Sequence, residues 1–177
     1  MKRLLLWRHA KASAGDPGQD DADRPLAERG KRAARALAKA RLPCLAEATL
    51  VLCSPARRTR ETWEALASQL AHPPALRFEP GLYLAGPFEL LERAARVDER
   101  HVCGLLIGHN PGLAELLGLL VAGGDAQAIS RASGGFKPGA LAELRLQIGH
   151  WREVGAGCGW LEAFTRPRDL ASAERSP

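Results

Sequence analysis

Three apolar runs punctuate the chain, each too short for a helix and each giving way at once to a polar loop. Leu4 to Trp7 leads into Arg8-His9-Ala10, Leu50 to Cys53 into Ser54-Pro55-Ala56-Arg57-Arg58, and Val102 to Ile107 into Gly108-His109-Asn110-Pro111. Such bounded runs read as buried strands. Between them the apolar period becomes helical. Leu26, Ala33, Ala34, Leu37 and Ala38 predict a helix from about Leu26 to Leu42. Trp63, Leu66, Ala67 and Leu70 predict a second, capped by Ser54 with Pro55 at its first position. Pro87 to Val97 reads as a third; Leu113, Leu116, Leu117 and Leu120 mark a fourth, opened by Asn110-Pro111 and ended by Gly123-Gly124. After the break at His72-Pro73-Pro74, Leu76 to Phe78 reads as a short strand, and Ala140 to Gln147 alternates as another, with Trp151 to Val154 paired to it.

Strands alternating with helices predict an α/β fold: a three-layer α/β/α sandwich with a mainly parallel central sheet. No repeat or linker divides the chain, so residues 1–165 are expected to form a single domain, and the polar stretch 166–177 a flexible C-terminal tail.

Composition adds limits. At 177 residues and 46% hydrophobic, the chain is sized for one well-buried core. A net charge of +5 raises nucleic acid as a partner. However, Arg29, Lys31, Arg32, Arg35 and Lys39 alternate with alanines at helical spacing and lack interleaved aromatics, which makes them a solvated helix face; no nucleic-acid partner is predicted. Cys44, Cys53, Cys103 and Cys158 show no C-x-x-C spacing and read as reduced thiols. No segment approaches a membrane span or a signal-peptide core, so no membrane partner is expected and the cytoplasm is the default location.

In a parallel sheet, residues just beyond the carboxyl ends of the strands meet in one crevice. Here that crevice would collect Arg8, His9, Arg58 and His109, a set that repels a cation and attracts an oxyanion; neither a metal nor another cofactor is expected. A neutral imidazole can attack phosphorus, and His9 is the candidate nucleophile. Arg8 and Arg58 would take the equatorial phosphate oxygens, with His109, Asn110 and the exposed N–H groups of the following helix completing the pocket. Each piece alone has an ordinary reading, namely an exposed basic turn, a helix cap, a surface charge and a loop histidine. Their combination points to phosphoryl chemistry. The long polar loop from Lys11 to Asp23 fits an active-site flap.

These motifs resemble a known family. Trp7-Arg8-His9-Ala10 resembles the Arg-His-Gly motif of the histidine phosphatase superfamily, with alanine in place of glycine. Arg24-Pro25-Leu26-Ala27-Glu28-Arg29-Gly30 is similar to its R-P-L-[TS]-x-x-G segment, Ser54 to Thr62 to its S-P-x-x-R-x-x-x-T segment, and Gly108 to Pro111 to its G-H-x-P segment. The resemblance spans roughly residues 1 to 145 and implies a phosphoglycerate mutase-like fold with His9 phosphorylated and Arg8, Arg58 and His109 around the phosphate. The short length is similar to that of the SixA-type phosphohistidine phosphatases, implying histidine-phosphorylated proteins as substrates. The acid-base carboxylate of the family's mutases has no matching motif here; Glu79 is the possible acid, and Glu89 lies in the next helix. An enzyme that cleaves phosphohistidine can omit that acid, because an imidazole is protonated before it leaves. Two other readings stay open: a general phosphomonoesterase on small phosphate esters with Glu79 as acid, and a non-catalytic phosphate-binding regulatory protein.

Overall fold

The computed structural model describes residues 1–173. In chain order its elements are β1 (Lys2–Arg8), α1 (Glu28–Ala40), α2 (Leu42–Leu45), β2 (Leu50–Cys53), α3 (Arg57–Ala67), β3 (Ala75–Phe78), α4 (Pro87–Ala95), β4 (Cys103–Gly108), α5 (Gly112–Leu120), β5 (Val121–Gly124), α6 (Ala126–Ser133), β6 (Leu141–Leu146), β7 (Gly159–Thr165) and α7 (Pro167–Ala173). The strands form one sheet in the order β3-β2-β4-β1-β6-β7-β5. β3, β2, β4 and β1 run parallel, β6 is antiparallel to both of its neighbours, and β5 returns parallel to β7.

The period-two alternation of strand side chains divides the core into two layers. Leu4, Leu6, Leu50, Leu52, Leu106 and Leu144 face α4 and α5 through Leu90, Ala94, Leu113 and Leu116. Leu5, Trp7, Val51, Cys53, Leu105 and Ile107 face α1, α2 and α3 through Leu37, Leu45, Trp63 and Leu66. Helices therefore cover both faces of a mainly parallel sheet, as the alternating pattern predicts. The helix after β1 lies on one face and the helix after β4 on the other, although these two strands are neighbours. That arrangement opens a crevice above their carboxyl ends.

Three features of the second half differ from expectation. Gly123 and Gly124 do not end a helix; α5 stops at Leu120 when Val121 turns extended, and both glycines lie in β5. A Cβ on Gly123 would meet the Trp160 ring at 2.8 Å, so glycine lets β5 close against β7. Trp151 to Val154 is not a strand: Trp151–Glu153 forms a 3-10 turn whose fully buried indole donates to the His101 carbonyl at 2.7 Å. The partner of β6 is β7, whose alternation is broken by a register shift opposite Glu143 and Leu144, and this hides its strand pattern. At the C-terminus, Pro167–Ala173 forms α7 packed toward α1, with Arg166 and Asp169 paired at its start. The expected tail thus begins as a helix, and residues 174–177 lie outside the described residues.

Two glycines, Gly30 of the R-P-L segment and Gly112 just after the G-H-x-P segment, sit where backbones cross. A Cβ on Gly30 would come 2.1 Å from the Lys11 carbonyl oxygen, and one on Gly112 would come 1.9 Å from that of Ala85. Backbone cannot swing aside as a side chain does. Gly112→Ala is expected to destabilise the fold by about 1–3 kcal/mol, read as a lower midpoint in urea. An unchanged midpoint would mean that the segment around Ala85 yields freely.

Candidate active site

The ends of three parallel strands place the main side chains. The β1 ladder continues through the His9 N–H donating to the Gly108 carbonyl at 3.1 Å, and β2 extends through the Ser54 N–H to the Ile107 carbonyl at 3.0 Å. His9, Ser54 and His109 are thereby brought level at the crevice. Arg58 follows in the first turn of α3, with its side chain buried at 5% exposure. The open pocket above them is lined by Arg8, His9, Arg58, His109 and Asn110, joined by Lys11, Asp21, Arg24 and Leu84.

The tautomer of His9 follows from its one hydrogen bond. Its Nδ1 lies 2.7 Å from the Ala10 carbonyl, which can only accept, so Nδ1 carries the proton and Nε2 holds the lone pair. The Ala10 N–H in turn donates to Thr62 Oγ1 at 3.1 Å, which fixes the turn after His9 and accounts for the threonine of the motif around Arg58. The His9 and His109 rings lie 5.2 Å apart between centroids. Burial, followed by the nearby Arg58 and Arg8 guanidiniums, lowers the His9 pKa to about 4. Burial, then His9 and Arg58, lowers His109 to about 3. Both imidazoles are therefore neutral at neutral pH, as a nitrogen nucleophile requires.

His109 Nε2 lies 2.7 Å from Ser54 Oγ, while its Nδ1 is buried without a partner. Ser54 is thus not the cap of α3, as its place before Pro55 predicts: the N-cap is Ala56, and the serine hydroxyl orients His109 instead. Arg8 donates through one terminal nitrogen to the Phe136 carbonyl at 2.7 Å, and its Nε is buried without a partner. Burial alone lowers its pKa, the mark of a cation with no anion beside it. Asn110 donates to the same Phe136 carbonyl at 2.9 Å. An anion pocket is left with unused donors around a free imidazole nitrogen.

Glu79 is not in this pocket. It follows β3 at the sheet edge and lines a different hollow with Arg77, Arg93 and Arg96. Glu89 is an exposed first-turn residue of α4.

Sequence reading missed Asp21, Arg24, Tyr83 and the Phe136 carbonyl. Asp21 belongs to a 3-10 turn in the loop after β1 and binds Arg58 twice, through its backbone carbonyl at 2.6 Å and its Oδ2 at 2.9 Å. The same Oδ2 accepts from the Tyr83 hydroxyl at 2.7 Å, and Oδ1 accepts from Arg24 at 2.7 Å. The Tyr83 hydrogen bond, supported by Arg58 and Arg24, lowers the Asp21 pKa to about 2. Arg24 was visible as the arginine of the R-P-L segment; no periodic signal marks the others. Leu84 lines the mouth with a left-handed φ of 51°, a costly conformation for a non-glycine residue and one typical of functional loops.

Comparison with known proteins bears on the family and the fold. Residues 4–83 match the histidine phosphatase superfamily, branch 1. An uncharacterized protein of Mycobacterium tuberculosis is 39% identical over 166 residues, covering 91% of this chain and 99% of that protein. The SixA structure from Nakamurella multipartitia superposes with a TM-score of 0.78 at 28% identity, covering 94% of this chain and 96% of the other. The SixA structure from Agrobacterium tumefaciens gives 0.77 at 26% identity, covering 94% and 99%. The mainly parallel sheet sandwiched by helices thus has counterparts over nearly all of this chain, and the chain belongs to the histidine phosphatase superfamily.

Proposed function

We propose that this phosphatase hydrolyses phosphohistidine on proteins, with His9 as its nucleophile. The observation that carries the reading is the pocket's content: a neutral imidazole with a free Nε2, an Arg8 guanidinium that has no anion paired to it, and no carboxylate able to donate a proton. His9 Nε2 attacks phosphorus in line, the bond from phosphorus to the leaving nitrogen breaks, and the phosphoryl group rests on His9. Arg8 and Arg58 share the charge on the equatorial oxygens as it spreads. With Ser54 donating to Nε2 of His109, the His109 proton sits on Nδ1 and is offered to the same oxyanion. Asn110 is a further donor at the rim. Water then attacks the phosphoryl group, and the electron pair returns to His9, whose Nδ1–H stays on the Ala10 carbonyl throughout.

The absence of a usable acid selects the leaving group. An alkoxide needs a proton as it departs, whereas a protonated phosphoimidazole departs as a neutral ring. Asp21 is the pocket's carboxylate, and at a pKa of about 2 it holds no proton to give. The solved SixA proteins named above carry phosphohistidine phosphatase names, which supports the same substrate class. With guanidiniums in place of a metal cation, the reaction needs no metal, and a phosphorylated protein is the expected partner.

The test compares phosphate release from a phosphohistidine peptide with release from a panel of phosphate esters. Preference for the peptide by at least about ten-fold in kcat/KM is expected, that is, about 1.4 kcal/mol of discrimination. Preference for an ester would overturn the substrate assignment.

A further inference from the structure

A carboxylate in a phosphate pocket needs a reason, because it repels the anion the pocket exists to hold. Asp21 lies among Arg8, Arg24, Arg58 and Lys11, and its side chain keeps 43% of its surface exposed. Three of its acceptor positions are taken, by Arg24, Arg58 and Tyr83. A carboxylate offers about four, so one remains open on Oδ1.

We infer that Asp21 is a specificity-determining residue which accepts the ring N–H of a phosphohistidine substrate, selecting a phosphoramidate over an ester. The inference rests on the phosphohistidine reading and names the group that enforces it. A reactive phosphohistidine is a cation: one ring nitrogen bonds phosphorus and the remote nitrogen carries a proton. When His9 Nε2 forms its bond to phosphorus, the breaking P–N bond leaves its electron pair on the departing nitrogen. That pair neutralises the ring, which leaves as imidazole with its remote N–H still in place. No proton moves in the step. The remote nitrogen must nevertheless be protonated beforehand, and an anionic acceptor beside it keeps it so.

The enzyme's own ring already has such an acceptor. His9 Nδ1 donates to the Ala10 carbonyl, so the phosphoryl group would pass between two imidazoles of the same form, one held by Ala10 and the other by Asp21. Among the pocket-lining residues Asp21 supplies the one anionic side chain for this role. Its Arg58, Arg24 and Tyr83 contacts, reached from α3, from the segment before α1 and from the turn after β3, hold it ionised and aimed. An ester offers no N–H to this acceptor, and its bridging oxygen meets an anion with no proton.

The test is Asp21→Asn, assayed with a phosphohistidine peptide and with p-nitrophenyl phosphate, alongside Tyr83→Phe, which keeps the carboxylate while removing one of its supports. Asp21→Asn is expected to lower the peptide-to-ester ratio of kcat/KM by at least about ten-fold, the scale of a charge-assisted hydrogen bond. The alkaline limb of kcat for the peptide should move down by about one pH unit, because the bound ring loses its proton more readily. Tyr83→Phe should preserve the ratio. If both variants lower both substrates in parallel and the alkaline limb stays in place, Asp21 is only a clamp for Arg58 and the assignment falls. If the native protein cleaves the ester but not the peptide, the phosphohistidine reading falls and takes this inference with it.

Discussion

His9→Ala is expected to remove turnover by at least about 10⁴-fold, because it deletes the nucleophile that forms the covalent intermediate. The imidazole makes a single side-chain hydrogen bond, to its neighbour Ala10, so its loss leaves the fold intact. Arg8, Arg58 and His109 remain in place to bind the anion. The variant should therefore still bind phosphate while failing to trap label from a ³²P-phosphorylated substrate in acid-labile form. The native protein, quenched during turnover, should carry that label. Stable acid-labile labelling of the alanine variant would mean that another residue takes the phosphoryl group, and His109 is the candidate its position would indicate.

Arg8→Lys is the second large effect. Lysine keeps the charge, but as a compact ammonium without a planar fork. Arg8 spends one terminal nitrogen on the Phe136 carbonyl and holds a buried, unpartnered Nε, so both anchoring and charge delivery depend on guanidinium geometry. Loss of one aligned donor to a developing oxyanion typically costs 10²- to 10³-fold, and a fall of that order in kcat/KM is expected, most of it in kcat. A variant within about three-fold of the native protein would show that Arg8 anchors the loop at Phe136 rather than serving the transition state.

Strands β1, β2 and β4 were legible in the sequence because they are buried on both faces and read as continuous apolar runs. Arg8, His9 and His109 sit one or two positions beyond those runs and Arg58 five beyond, just after the next helix begins, which is why the four could be picked out together. The two strands beyond β6 were harder. A register shift in β7 and two glycines in β5 erase the period on which such reading depends. Ser54 was misread because a serine before proline looks the same whether its hydroxyl caps a helix or orients a histidine. Asp21 and Tyr83 lie in segments with no period, and only the folded loop shows that they meet at Arg58. Glu79 follows a strand as the true pocket residues do, but β3 is an edge strand, and its end lies beside α4 rather than over the central crevice.

The cysteines of this chain give its chemistry one further property. All four are free, and Cys53, next to Ser54 at the end of β2, is buried with its thiol pushed up to about 12. A thiol held so firmly protonated is a poor target for peroxide or alkylating agents. Phosphatases built on a reactive thiolate lose activity when cells become oxidising. With His9 as the proposed nucleophile and Cys53 silenced by burial, this phosphatase would keep working under oxidative stress, so its output would follow the supply of its substrate rather than the redox state of the cell.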